Sequence, residues 1–324
     1  MQEKIVSRLK SVKLGTPQAY RNIAVFPINN GQEGSVNYIT LSEALEGRLL
    51  AVTEVSQGGS VPELKVTNSA EIPVLLLDGE ELAGAKQNRV LNTTVLVPEK
   101  QAIVIPVSCT EQGRWAYATS EFFDSGTVMA HSIRARKSRS VSESLTASAS
   151  FRSDQGEVWD GISELQEAAG ASSPTAAMRD VFESRRESLD EAIKAFPLGP
   201  GQIGILVVIN GKAAGFDLIS KPSAYAHLHG KLIKSYVMDT LVGKKKAGAD
   251  IEAAAKSAQD FIDRATRCEE KTFKSVGLGD DYRYKGLDIA GSALVHQDNV
   301  IHAAFFNIES ESQDARITSL KRRR

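Results

Sequence analysis

Cysteine is almost missing from this chain: Cys109 and Cys268 are the two among 324 residues. That excludes a disulfide framework and a cysteine-rich zinc site, and it fits a reducing cytoplasm. No stretch supplies the roughly 20 consecutive apolar residues of a membrane-spanning helix. Met1–Leu14 carries Glu3, Lys4, Arg8, Lys10 and Lys13 among scattered apolar residues and has no signal-peptide core. Charge of one sign is also lacking. Thirty-nine basic and forty acidic side chains leave a formal charge of −1, so no global field favours bulk nucleic acid or an anionic membrane. The glycine spacings of Walker and dinucleotide-binding loops do not occur, which argues against a P-loop or Rossmann site. We therefore expect a cytoplasmic protein outside the membrane, with no cofactor indicated.

What is present is ordinary globular material, 42% hydrophobic and 24% charged, enough to bury a full core. From Arg21 to about Val128 short β-runs dominate: Ile23–Ile28, Leu49–Val55, Leu64–Asn68, Val74–Leu77, Thr93–Val97 and Ala102–Val107, separated by turn signals. Ser42–Arg48 reads as one short capped helix among them. Met129–Asp154 is rich in serine and carries Arg134, Arg136, Lys137 and Arg139 with few large apolar residues, the composition of a mobile connection. Beyond it, helical periodicity runs through Val158–Leu165 and Met178–Ile193, and again from Ala224 to Leu241 and Ile251 to Ala265. Asn210-Gly211 between two apolar runs signals a tight hairpin. Tyr282–Tyr284, Ala290–His296 and Val300–Asn307 read as closing strands. The pattern predicts an α+β protein: a β-rich sandwich or barrel-like domain over 1–130, a Ser-rich basic linker or mobile loop over 131–154, and an α+β domain over 155–324. The terminal Lys321–Arg324 reads as a solvated tail.

Two segments concentrate chemistry. Gly79–Arg89 packs Glu80, Glu81, Lys86, Gln87, Asn88 and Arg89 into eleven positions. Lys86 and Arg89 suit phosphate or carboxylate, and Gln87 and Asn88 a base or sugar edge; the plainer reading is a hairpin loop with its charges in water. In Ser108–Trp115, Cys109 and Arg114 bracket a loop like that of a rhodanese-type cysteine enzyme. Four intervening residues, an acidic Glu111 and no following N-cap favour a small buried thiol instead. Glu81 and Glu111 are the candidate acid and base, though nothing in the sequence fixes their distance and surface ion pairs to Arg89 or Arg114 are the plainer reading. Trp115 is either a stacking platform or a core plug. His227 and His229 diverge on a helix, His296 and His302 fall on separate strands, and Gly279–Arg283 lacks a calcium-loop pattern. No metal site is expected.

Taken together, Leu76–Leu82, Lys86–Arg89, Ile105–Cys109 with Glu111, Gly113, Arg114 and Trp115, Gln155 with Val158-Trp159, Lys231–Ser235 with Asp239, and His302–Phe305 resemble a bacterial family. It is the ARG and rhodanese/phosphatase-superfamily-associated protein domain, a domain of unknown function. The resemblance covers most of the chain and implies a nucleotide or ADP-ribose-related setting without naming a reaction. It groups Glu81, Glu111, Lys86, Gln87, Asn88, Arg89, Arg114 and Trp115 as one site for a phosphorylated ligand. If the protein is an enzyme, it is then a hydrolase or transferase using Glu81 or Glu111. The alternative is a non-catalytic module binding such a ligand or a protein partner through the Ser-rich basic loop.

Overall fold

The computed structural model describes residues 3–29, 34–242 and 248–308; the basic Lys321–Arg324 lies outside them. The chain begins with helix α1 (Glu3–Lys10), strands β1 (Lys13–Leu14), β2 (Gln18–Tyr20), β3 (Ile23–Asn29) and β4 (Ile39–Thr40), and helix α2 (Leu41–Glu46). Strands β5 (Leu50–Glu54), β6 (Glu63–Asn68), β7 (Val74–Leu76), β8 (Glu80–Gly84), β9 (Arg89–Leu91), β10 (Val95–Val97), β11 (Ala102–Cys109) and β12 (Phe122–Val128) follow. Helices α3 (His131–Ser148), α4 (Gln155–Ala169), α5 (Met178–Ser184) and α6 (Arg186–Ala195) lead to the hairpin β13 (Gln202–Ile209) and β14 (Lys212–Ile219). Helices α7 (Pro222–Val242) and α8 (Ile251–Ala265) precede β15 (Glu269–Lys274), β16 (Asp280–Lys285), β17 (Ile289–His296) and β18 (Asn299–Asn307). The architecture is α+β.

One antiparallel sheet runs β1-β3-β13-β14-β18-β17-β16-β15, with β2 added on β3. Strand β13 shows why it lies in the middle. Its apolar run buries both faces: Ile205 and Val207 join a core roofed by α3–α7, while Leu206 and Val208 join one covered by α1 and α8. Asn210 and Gly211, both at positive φ, make the two-residue hairpin that the sequence signals. Two further sheets, β12-β8-β9-β11-β6-β5 and β10-β7-β4, enclose a third core with Leu41 and Ala44 of α2. Helix α2 starts at a capping box in which Thr40 and Glu43 satisfy each other's backbone N–H.

The predicted strands and helices recur with end shifts of a few residues, except that the helix expected through Met178–Ile193 is two, α5 and α6, parted at Arg185; three further expectations fail. Strand β3 is hydrogen-bonded to β13, so the large sheet runs across the expected domain boundary at residue 130. The segment expected to be a mobile basic linker is for the most part helix α3, with Arg134 and Lys137 fully buried. Their charges are neutralised inside the protein. Arg134 makes a two-pronged pair with Asp217 (3.0 and 2.7 Å) and reaches Asp78 at 3.2 Å. Lys137 bonds Asp78 and the carbonyls of Leu91 and Asn92. Asp217 also accepts from Tyr236 (2.8 Å) and contacts His302 (3.1 Å), whose other ring nitrogen meets Thr94 at 2.7 Å. This network ties the smaller sheets to the large one. Arg136 and Arg139 pair with Glu164 and Glu157 on α4, so the segment does not offer its basic groups as a free docking loop. Third, Gly79–Arg89 is no water-facing loop: its residues belong mainly to β8 and β9, and all but Lys86 are buried.

Candidate functional site

Strand register divides the expected site residues. Arg89 lies opposite Leu82 of β8 and Cys109 of β11, so these three side chains share a face of the sheet. Alternate positions of the same strands, Leu82, Leu91 and Val107, line the core between the two smaller sheets. Arg89 and Cys109 therefore stand at the end of that interior. Glu54 extends the inward set Leu50, Val52 on β5 and arrives there too. Glu81, Val90 and Ser108 occupy the opposite face. The structure thus does not bring Glu81 and Arg89 into one site.

Arg89 is 0% exposed. Its Nη1 donates to Gln87 Oε1 (3.0 Å) and the Asn88 carbonyl (3.4 Å), while Nε and Nη2 are buried with no partner. A roof closes over it. The Trp115 ring is 5.7 Å from the guanidinium, and Lys86 Nζ lies 5.2 Å from Trp115 and 5.1 Å from Tyr117 while donating to the Gly58 carbonyl (2.7 Å). Glu54 Oε2 is likewise buried without a partner. Gly59, at φ +78, sits where Lys86, Glu54 Oε2 and Trp115 converge, and a Cβ there would meet all three at 3.2–3.4 Å. Trp115 is 47% and Tyr117 53% exposed. Trp115 is accordingly not a core plug.

Arg114 and Glu111 form a clasp. Arg114 Nε and Nη2 hold both Glu111 oxygens at 2.9 and 2.6 Å, and Nη1 donates to the Ala85 and Ala116 carbonyls. Asn88 Oδ1 takes a further bond from Nη2, at 3.2 Å. Glu111 also accepts from Asn88 N–H and Thr175. Burial pushes its pKa up, but the Arg114, Thr175 and Asn88 hydrogen bonds more than offset this and hold it below the usual carboxylate range. Both residues are committed to fixing the loops around Arg89. Neither has a free edge for a ligand or for proton transfer.

Cys109 is buried, its Sγ 3.1 Å from Gln87 Oε1 and its backbone paired with the Gln155 side chain. Burial raises the thiol's pKa, only partly opposed by Arg89. A thiolate nucleophile is disfavoured. Native protein titrated with Ellman's reagent should show no fast-reacting thiol; a rapid burst from Cys109 would contradict this reading.

Glu81 is also fully buried, and among the described residues it makes no ion pair. Thr110 donates to Oε1 (2.7 Å) and Thr127 to Oε2 (3.3 Å), with Ser125 also bonded to it. Burial raises its pKa to about 7, with the hydroxyl bonds opposing. Of the histidines, His229 is fixed between Tyr225 and the Phe196 carbonyl, and His227 faces Glu43. His302 belongs to the buried network above.

The sequence reading missed Glu54 and Tyr117. Glu54 had a signal, a carboxylate in phase with the inward Leu50 and Val52; Tyr117 had none. Among the described residues, no group of three or more His, Cys, Asp or Glu side chains could hold a metal ion. No described helix is long and apolar enough to cross a membrane. No curated protein and no solved structure matches the chain. A family model does match, over residues 11–306, nearly the whole length. The chain belongs to the family of the ARG and Rhodanese-Phosphatase-superfamily-associated Protein domain.

Proposed function

We propose that the protein binds a phosphorylated ligand of the nucleotide or ADP-ribose type at Arg89. The observation that carries this is the unpartnered Nε and Nη2 of a fully buried guanidinium. Those two donors form the edge that grips a phosphate with parallel hydrogen bonds, and leaving them unmet is costly. Trp115 and Tyr117 offer exposed rings for a base, with Lys86 between them for a second phosphate. Because Arg89 is covered, entry requires the roof of Gly59, Lys86 and Trp115 to lift.

We read this site as binding rather than converting its ligand. Glu111 is clasped, the Cys109 thiol is held protonated, and Glu81 faces away. Calorimetric titration with ADP-ribose, AMP and adenosine tests the proposal. The phosphorylated ligands should bind and adenosine should not. Arg89→Ala should weaken binding by about tenfold or more, the equivalent of roughly 1.5–3 kcal/mol, and Trp115→Ala should weaken the nucleotides more than phosphate alone. Equal binding by wild type and Arg89→Ala would overturn it.

A further inference from the structure

On the opposite face of the same sheet, a cleft of about 290 Å³ is lined by Ser125, Thr127, Arg179, Arg186, Asp190 and Lys234, among others. A bulge opens it. The β8–β12 register breaks between Asp124 and Val128, and Gly126 takes φ +74 with nothing within 4 Å of a Cβ placed there. Asp124 Oδ1 accepts the Gly126 N–H at 2.9 Å, and Lys231 fixes Asp124 in turn. Bulges of this kind re-aim side chains, and here the hydroxyls of Ser125 and Thr127, 2.6 Å apart, line the cleft. Among the described residues, two cations in the lining have no carboxylate ion pair. Arg179 lies over the Phe123 ring at 5.5 Å, and Lys234 reaches the Gly126 carbonyl at 3.4 Å. Arg186 is paired with Glu183 at 3.2 Å, and Asp190 is exposed, where water and salt weaken its repulsion.

We infer that this cleft is a second anion site, for a phosphate group held by Arg179, Lys234 and the Ser125 and Thr127 hydroxyls, and that filling it transfers a proton from solvent to Glu81. The link is a matter of hydrogens. A hydroxyl has one proton to donate; with Ser125 donating across its 2.6 Å contact with Thr127, the Thr127 proton goes to Glu81 Oε2. An anion in the cleft that takes this donor leaves the buried carboxylate short of a partner. Glu81 then gains a proton and donates it to the Thr127 oxygen. The groups facing its carboxyl are Thr110 past the end of β11, Ser125 and Thr127 of β12, and the charge of Arg179 on α5. An anion that neutralises Arg179 removes a field favouring the carboxylate, which acts in the same direction.

The probe is inorganic sulfate, a tetrahedral dianion that keeps its charge near neutral pH, so proton uptake is the protein's own. Titration calorimetry at pH 7 in two buffers of different ionisation enthalpy should show binding with uptake of a fraction of a proton, and binding should weaken as pH is raised. Arg179→Ala with Lys234→Ala, both changes outside the core, should weaken binding at least tenfold. Glu81→Gln should still bind sulfate but without proton uptake. Arg89→Ala should change neither result, which separates this site from the one across the sheet. Absence of sulfate binding at millimolar concentration, unaltered binding by the double variant, or proton uptake retained in Glu81→Gln would each overturn the inference.

Discussion

Replacing Arg134 with methionine should lower the free energy of unfolding by about 3–5 kcal/mol, the cost of breaking a buried ion pair by removing one partner. The guanidinium is fully buried between Asp217 and Asp78 and lies 5.0 Å over the Phe306 ring. Burial alone disfavours its charge, yet the two carboxylates more than offset that and raise its pKa. Methionine would fill much of the volume while leaving Asp217 to His302 and Tyr236 alone. Asp78 would keep Lys137. Urea unfolding at neutral pH measures the loss, and the double variant Arg134→Met, Asp217→Asn should recover part of it because the stranded charge is gone. A loss under about 1 kcal/mol would mean that the network contributes little to joining the sheets.

Glu81→Gln should become more stable than wild type as pH rises. The folded-state pKa of Glu81, about 7, lies above its ordinary 4.5. The folded protein therefore binds the proton more tightly than the unfolded chain does. The associated stability is complete below the unfolded value and is lost as pH rises through about 7. The gap corresponds to about 3 kcal/mol. Glutamine stays neutral, and the Thr110 and Thr127 hydroxyls can rotate to meet its amide. Urea unfolding should find variant and wild type similar near pH 5, and the variant more stable above pH 8. The same difference at both pH values would contradict a buried, unpaired carboxyl.

How legible this was in the sequence depended on the physical signal. Strands such as β13 and the Asn210-Gly211 hairpin carry their own pattern, apolar residues and a turn needing positive φ. Helix α3 does not. Its serines and arginines average to a polar, linker-like composition, and only the carboxylates of Asp78 and Asp217, 56 and 83 residues away from Arg134, make its burial affordable. The same long-range compensation hid β8 and β9. Glu80 looked solvated, and is buried because Lys231, from α7, reaches it at 2.7 Å. Motif density singled out Lys86, Gln87 and Arg89, which the proposed site uses. It could not show that Glu81 and Arg89 point to opposite faces, since that follows from strand register; the ion pair of Glu111 with Arg114 was among the pairings the sequence offered.

The ¹⁵N resonance of the Arg89 Nε–H, followed by NMR as ADP-ribose is added, reports directly on whether a ligand engages the buried guanidinium. A nucleotide gripped by the unpartnered Nε and Nη2 edge should shift that resonance, slow its exchange with water and produce a scalar coupling across the hydrogen bond to ³¹P. An Arg89 signal unchanged at saturating ligand would contradict the account.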